Sequence, residues 1–238
     1  MGKLGKEERL RYARQIAIPN IGREGQEKLL SSRVLVIGCG ALGSMVSMEL
    51  AGAGIGVIGI ADFDNIDISN LQRQFFFKTS EAGESKVEKT GERIKELNPD
   101  IKVKLYREIV NRKNAANIFS DYDFIVDATD NPESKRLTGE VSAALGKACC
   151  IGGVRNFEGQ VMTFLREDAR FEEYFGDVAD MGFLPCSLGG VIGPAAVVCA
   201  SLQASEVIKY LSGIGELLSG SIIYFNLLNN SFRVLHNS

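Results

Sequence analysis

Apolar positions along this chain fall into short unbroken runs separated by stretches with helical spacing. Arg33 to Gly38 (RVLVIG) is β-branched and stops at glycine, the pattern of a strand buried on both faces. Gly43 to Ala53 follows with helical spacing, and Gly56 to Asp62 (GVIGIAD) is a second buried strand. Lys86 to Leu97 reads as an amphipathic helix ended by Asn98-Pro99. Ile101 to Tyr106 alternates like a strand, and Phe124 to Ala128 is an apolar run that ends in Asp-Ala-Thr-Asp-Asn. Strands alternating with helices predict an α/β fold, a Rossmann-like and mostly parallel sheet with helices on both faces. The pattern changes after about residue 150. Ala148 to Gly152, Gln160 to Leu165, Ser221 to Phe225 and Ser231 to Leu235 read as strands, with a long helix over Val191 to Leu211. The sheet is therefore expected to continue as antiparallel strands in the C-terminal half. No repeat, low-complexity linker or break in composition divides residues 1–238, so a single domain is predicted.

Composition narrows the partners. A net charge of −3 with no Lys/Arg run argues against a nucleic-acid surface. The first residues, Met1 to Arg11, are charged and lack an apolar core, unlike a signal peptide. Met181 to Ser205 carries no charge, but two prolines and several serines interrupt it; it reads as a loop leading into a buried helix, with a membrane span as the alternative. The five cysteines are odd in number and form no C-x-x-C pair, which predicts neither disulfides nor a zinc site and fits a reducing cytoplasm. Cys149, Cys150 and Cys199 read as core residues. The only histidine is His236, so most histidine-based catalysis is excluded.

Gly38-Cys39-Gly40-Ala41-Leu42-Gly43 is a G-x-G-x-x-G turn between a predicted strand and helix. Glycines let the backbone turn sharply and approach phosphates, while the helix N-terminus offers free N–H groups to negative charge. Asp62 ends the next strand, where an acid can hold ribose hydroxyls. By itself this predicts a nucleotide, with NAD the default ligand. The segment from Asp62 to Gln74 (DFDNIDISNLQRQ) departs from a dehydrogenase by placing acids, an amide and an arginine directly after the second strand. ATP chemistry can use that set, because arginine stabilises phosphate charge and an amide fixes geometry. Lys86 lies a short distance on, and Asp130 sits beyond the carboxyl end of the Phe124 strand.

The arrangement Asp-x-Asp-x-x-x-x-Ser-Asn-Leu-x-Arg-Gln resembles the signature of the ThiF/MoeB/HesA proteins and of their relatives, the ubiquitin-activating enzymes. Further blocks resemble that family in family order: Arg11 to Gln15, Gly22 to Gln26, Leu97-Asn98-Pro99, Asp127 to Asn131, Gly190 to Pro194 and Leu202 to Glu206. The resemblance implies an adenylyltransferase that uses ATP and Mg²⁺ to activate the C-terminal glycine carboxylate of a ubiquitin-like sulfur carrier protein ending in Gly-Gly. It implies that Asp62 holds the ribose and that Gly38, Gly40, Ala41, Leu42 and Gly43 underlie the phosphates. Ala41 stands where the family commonly has glycine. Asn70, Arg73 and Lys86 would contact the triphosphate, with Asp130 binding Mg²⁺ and Asn131 beside it. Asp64 and Gln74 join the same set, each with a structural reading alongside. Asp67 reads as a solvated acid. Arg14 resembles an arginine that reaches a neighbouring subunit's site, which implies a homodimer; a helix-capping role is its alternative.

Cys186, in Phe183-Leu184-Pro185-Cys186-Ser187, resembles a crossover cysteine associated with sulfur transfer, and it also fits as a small apolar residue. The two C-x-x-C pairs with which many relatives bind zinc are missing. No rhodanese-like segment follows the last strand, so sulfur is expected from a separate donor protein. A ThiS-like carrier, serving thiazole formation in thiamine synthesis, is the preferred reading. A MoaD-like carrier for molybdopterin is the first alternative; an NAD-binding oxidoreductase or a non-catalytic binding module is the alternative of a different class. The carrier is expected to meet the C-terminal strands and the stretch from Arg166 to Leu184.

Overall fold

The computed structural model describes residues 4–165 and 189–236. Its centre is the predicted apolar runs. Strand β1 (Arg33–Ile37) lies between β2 (Val57–Ala61) and β4 (Phe124–Asp127), all parallel, with Leu35 opposite Gly59 on one side and Ile125 on the other. β3 (Lys102–Tyr106) extends the parallel sheet beyond β2, and β5 (Ala148–Arg155) extends it beyond β4. β6 (Glu158–Phe164), β7 (Ser221–Asn226) and β8 (Ser231–His236) then add antiparallel, giving the eight-stranded order β3-β2-β1-β4-β5-β6-β7-β8. The expected fold class is the observed one.

Two cores follow from the pleat. Val34, Val36, Ile58, Ile60, Phe124 and Val126 face α4 (Ala41–Ala53), α5 (Lys86–Leu97) and the long C-terminal helix α8 (Gly193–Ser212), all joined in one buried cluster. Leu35, Ile37 and Ile125 face the other way, onto α6 (Ala115–Ser120) and α7 (Pro132–Ala144). Burial on both faces is why the central strands are apolar at every position rather than alternating. Glycine in a strand here has a packing reason: a Cβ on Gly59 would meet the Tyr122 hydroxyl at 2.1 Å. The edge strand β3 points Lys102 and Lys104 to solvent, which discourages a second sheet from adding there.

Three expectations change. α4 begins at Ala41 rather than Gly43, so its first turn is part of the glycine loop. β5 does not stop at Gly152 but runs to Arg155, turning into β6 through Asn156, whose φ of 53° puts it in the left-handed region asparagine tolerates. The paired glycines at 152 and 153 read as a strand end, whereas a Cβ at Gly152 would strike the buried Gln203 carboxamide at 2.5 Å. Three N-terminal helices, α1 (Lys6–Arg11), α2 (Ala13–Ile16) and α3 (Gly22–Ser31), have no clear apolar period, yet they pack through Tyr12 and Leu29. Cys149, Cys150 and Cys199 are buried as predicted, and burial pushes the Cys149 thiol up to about 12. Among the described residues no helix is long and apolar enough to cross a membrane.

Candidate active site

In this topology the chain leaves β1 toward β2 on one side and reaches β4 on the other. The resulting crevice at the strands' carboxyl ends is where open α/β sheets bind ligands. A cleft of about 310 Å³ occupies it. Its floor is the glycine loop. Gly38 has φ +92°, and a Cβ there would sit 3.0 Å from the Ala128 carbonyl oxygen. A Cβ on Gly43 would lie 1.8 Å from the Gly38 carbonyl oxygen, so only glycine lets α4 start this close to β1. No side chain caps α4, which leaves its first N–H groups facing an anion site.

Asp62, one residue beyond β2, fixes the wall beside this floor. One carboxylate oxygen accepts the Cys39 N–H at 2.5 Å and the other accepts the Asp64 N–H at 2.8 Å. The chain then turns through a short 3₁₀ helix, Ile68–Asn70, started by Asp67. Asp67 is exposed, as a solvated acid should be, but it also accepts the Ser69 N–H and hydroxyl, and these bonds lower its pKa. The turn delivers Asn70, Arg73 and Gln74 to the cleft. Arg73 donates to the Ser69 carbonyl at 3.2 Å and pairs with no acid among the described residues. Gln74 is buried, and its amide oxygen has no partner there.

Lys86 opens α5. A cation in a helix's first turn works against the macrodipole, and this one is buried as well. Its ammonium meets the Asp64 carboxylate at 2.9 Å. A residue that breaks a local rule this way belongs to a site. Across the cleft, the end of β4 and the loop that follows it carry two acids of opposite kind. Asp127 is fully buried and bonded to Thr129, Lys135 and Thr138. Asp130 is exposed, and its carboxylate has no hydrogen bond or ion pair among the described residues. Asn131 caps α7 by accepting the Ser134 N–H at 2.7 Å.

Gly38, Gly40, Ala41, Leu42, Asp62, Asp64, Asn70, Arg73, Gln74, Lys86, Asp130 and Asn131 thus all line one cleft. Gly43 lies beneath it as a packing residue. Arg14, exposed on α2, is not among the lining residues and caps nothing there. Cys186 and the stretch from Arg166 to Leu184 lie outside the described residues. Sequence reasoning missed the apolar end formed by Phe63, Ile109 and Val110, and missed Lys135 and Gly153. No motif marks them; only the sheet brings the segment after β3 to this crevice.

A glycine loop at an uncapped helix N-terminus, with an acid and two cations in the crevice at a switch point, is an arrangement suited to an anionic ligand. The ThiF family model matches residues 12–238. This chain belongs to the ThiF family. It is 38% identical over 98% of its length to the "Probable adenylyltransferase/sulfurtransferase MoeZ" of Mycobacterium tuberculosis, of which it spans 61%. It is 37% identical over 97% of its length to a sulfur carrier protein adenylyltransferase of Thermus thermophilus, covering 88% of that protein. A molybdopterin-synthase adenylyltransferase of Gracilaria tenuistipitata is 34% identical over 94% of the chain, which spans 63% of it. Among solved structures, PaaA superposes with a TM-score of 0.84 and 22% identity over 99% of this chain and 75% of its own. Escherichia coli MccB with ATP superposes at 0.80, also at 22% identity, over 99% of this chain and 73% of its own. At that identity the likeness shows a shared fold.

Proposed function

We propose that this chain adenylates the C-terminal carboxylate of a small ubiquitin-like sulfur carrier protein ending in Gly-Gly. The observation that carries the reading is the convergence of Arg73, Lys86 and an unpartnered Asp130 around an uncapped α4 N-terminus. A carboxylate oxygen attacks the α-phosphorus of ATP, the bond to the bridging oxygen breaks, and pyrophosphate leaves as the acyl-adenylate forms. The attacking carboxylate is already ionised at neutral pH, so no general base is needed. The protein's work is to hold two anions in line and to neutralise charge. Arg73 and Lys86 do so from one wall. Asp64, holding Lys86 at 2.9 Å, fixes the direction of its ammonium. Asp62 receives the ribose, and Phe63, Ile109 and Val110 offer an apolar slot for the base.

Mg²⁺ fits the residues present, because it is usually held by one or two carboxylates together with substrate phosphates, and Asp130 is an exposed carboxylate at the phosphate wall. When bound, the ion offsets triphosphate charge. Gln74, buried with an unused amide oxygen, is read as a contact of the phosphate end. Arg14, exposed and outside its own cleft, is read as completing a partner's site in a homodimer. Cys186 is read as the thiol that meets the activated carrier, with sulfur brought by a separate donor protein, and the whole assigned to the cytoplasm.

The docking surface for the carrier is read at the β7–β8 hairpin, where Leu228, Phe232, Val234 and Leu235 are exposed and β8 is an open edge. On carrier identity, the name of the Gracilaria relative, a probable molybdopterin-synthase adenylyltransferase, favours a MoaD-like carrier over the ThiS-like one. Mg²⁺-dependent ATP–pyrophosphate exchange with purified carriers of both kinds tests the proposal. Exchange with one carrier supports it and chooses the pathway. Absence of exchange with either, together with NAD binding, would replace it with the oxidoreductase reading.

A further inference from the structure

Only Ala128 and Thr129 separate Asp127 from Asp130, yet the first acid is wholly buried and the second is open to the cleft. The buried one is not alone. The Lys135 ammonium, itself 3% exposed, lies 3.1 Å from its carboxylate. The same ammonium donates to the Thr129 carbonyl oxygen at 2.7 Å and to the Gly152 carbonyl oxygen at 2.6 Å. An ammonium has three donors, and all three are placed. Its stem rises from α7, so one side chain ties α7, the end of β4, the loop that follows β4, and β5.

The rest of the network locks the same four parts. The Thr129 N–H and hydroxyl both donate to the Asp127 carboxylate, at 3.0 and 2.8 Å, and the Thr138 hydroxyl occupies its other oxygen at 2.8 Å. The Gln203 amide of α8 donates to the Asp127 backbone carbonyl at 2.8 Å. On the far side of Asp130, Asn131 is held by capping α7. Among the described residues Asp130 is therefore without a partner for its charge, with its neighbours fixed on both sides.

A charge pair this deep is a costly way to gain stability, since well-packed apolar residues of the same volume often serve as well or better. What an apolar pair cannot do is hold two carbonyl oxygens, one from the loop after β4 and one from β5, at a defined distance. We infer that the Lys135–Asp127 pair is a positioning device: it sets the Thr129–Asn131 loop, and through it the carboxylate of Asp130, against the phosphate wall of the cleft. Lys135 acts through Asp130 and need not touch the nucleotide. The consequence for Mg·ATP rests on the adenylation reading above; the pinning of the loop does not.

The test uses Lys135→Met and, in case a lone buried Asp127 prevents folding, the neutral double variant Asp127→Asn/Lys135→Met. Hydrogen exchange of peptides covering residues 128–134, in protein without nucleotide, should speed up about 10-fold while peptides of β1 and α4 keep their protection. The Mg²⁺ concentration for half-maximal pyrophosphate exchange should rise about 10-fold, a scale typical of a misplaced positioning group, while AMP binding in EDTA stays within about twofold. A purely structural pair would lower the melting temperature and the active fraction without moving the Mg²⁺ dependence. Wild-type protection of the 128–134 peptides in a folded variant would overturn the inference. Should the unaltered protein show no pyrophosphate exchange with any carrier, the adenylation reading fails, and the hydrogen-exchange arm still decides the pinning.

Discussion

The two halves of the sheet differ in how much of their side-chain surface they leave in solvent. At the carboxyl ends of β1, β2 and β4, side chains hold the backbone around the cleft: Asp62 holds Cys39 and Asp64, Asp127 holds Thr129, and Asn131 holds Ser134. The antiparallel half has such bonds too, Asn226 accepting the Leu228 N–H and Asn229 the Ser231 N–H, but it leaves far more apolar surface open. β8 is exposed along almost its whole length, and Phe232, Val234 and Leu235 stand in solvent on the edge strand of the sheet formed by the described residues. A triphosphate is the same in every turnover, so its site gains by being rigid before the ligand arrives. A partner surface needs contact area and an open strand more than fixed polar geometry, and those are what the hairpin offers.

Substitutions can break that contrast, the largest effect being expected on the rigid side. Gly43→Ala places a Cβ where the Gly38 carbonyl oxygen stands. It should cost at least about 3 kcal/mol and lower the melting temperature by roughly 6–12 °C, measured by calorimetry. Next come the charged residues of the cleft. Arg73→Ala and Asp130→Ala should each reduce ATP–pyrophosphate exchange by about 10²–10³-fold. Both side chains lack a charged partner among the described residues, so the melting temperature should stay within about 2 °C of the unaltered protein. Retained exchange in either variant would remove that residue from the proposed chemistry.

Smaller effects sharpen the other side. Val234→Asp and Leu235→Asp lie on opposite faces of β8 and should leave ATP affinity unchanged. Whichever faces the carrier should raise its half-saturating concentration about 10-fold, equivalent to about 1.4 kcal/mol. Equal and negligible effects from both would move the docking surface away from the hairpin. The smallest effect concerns thiols. Cys39, Cys149, Cys150 and Cys199 are buried, and burial raises the first three well above an ordinary thiol. The thiolate is the reactive form, so at pH 8 a raised pKa means less of it. All four should resist alkylation in native protein and react only in denaturant, as read by mass spectrometry; native labelling at any of them would show local opening.

Much of this site could be read without coordinates because its pieces are local. A G-x-G-x-x-G turn places its own glycines, and the run from Asp62 to Gln74 is one short excursion after β2. Lys86 was legible for the same reason, being tied through the family-like segment to a helix with a strong apolar period. Elements with weak periodicity were not. α7 reads Pro-Glu-Ser-Lys-Arg-Leu-Thr-Gly and shows no apolar stripe, because its buried positions include Lys135, Thr138 and Ser142, satisfied by partners far away in sequence. Asp127 and Asp130 look equivalent in Asp-Ala-Thr-Asp-Asn. Nothing in the letters says that one is fully buried while the other faces the cleft.

The sequence by itself determined the parallel α/β class and the strand-loop-helix glycine turn, since each depends on contacts within a few positions. Tertiary structure alone decided which of the candidate residues share a cleft, that Phe63, Ile109 and Val110 close its apolar end, and that Lys135 ties four elements together behind Asp130. The reason is distance along the chain: the oxygens that meet the Lys135 ammonium come from residues 127, 129 and 152, and only the pairing of β4 with β5 brings them within reach of one side chain.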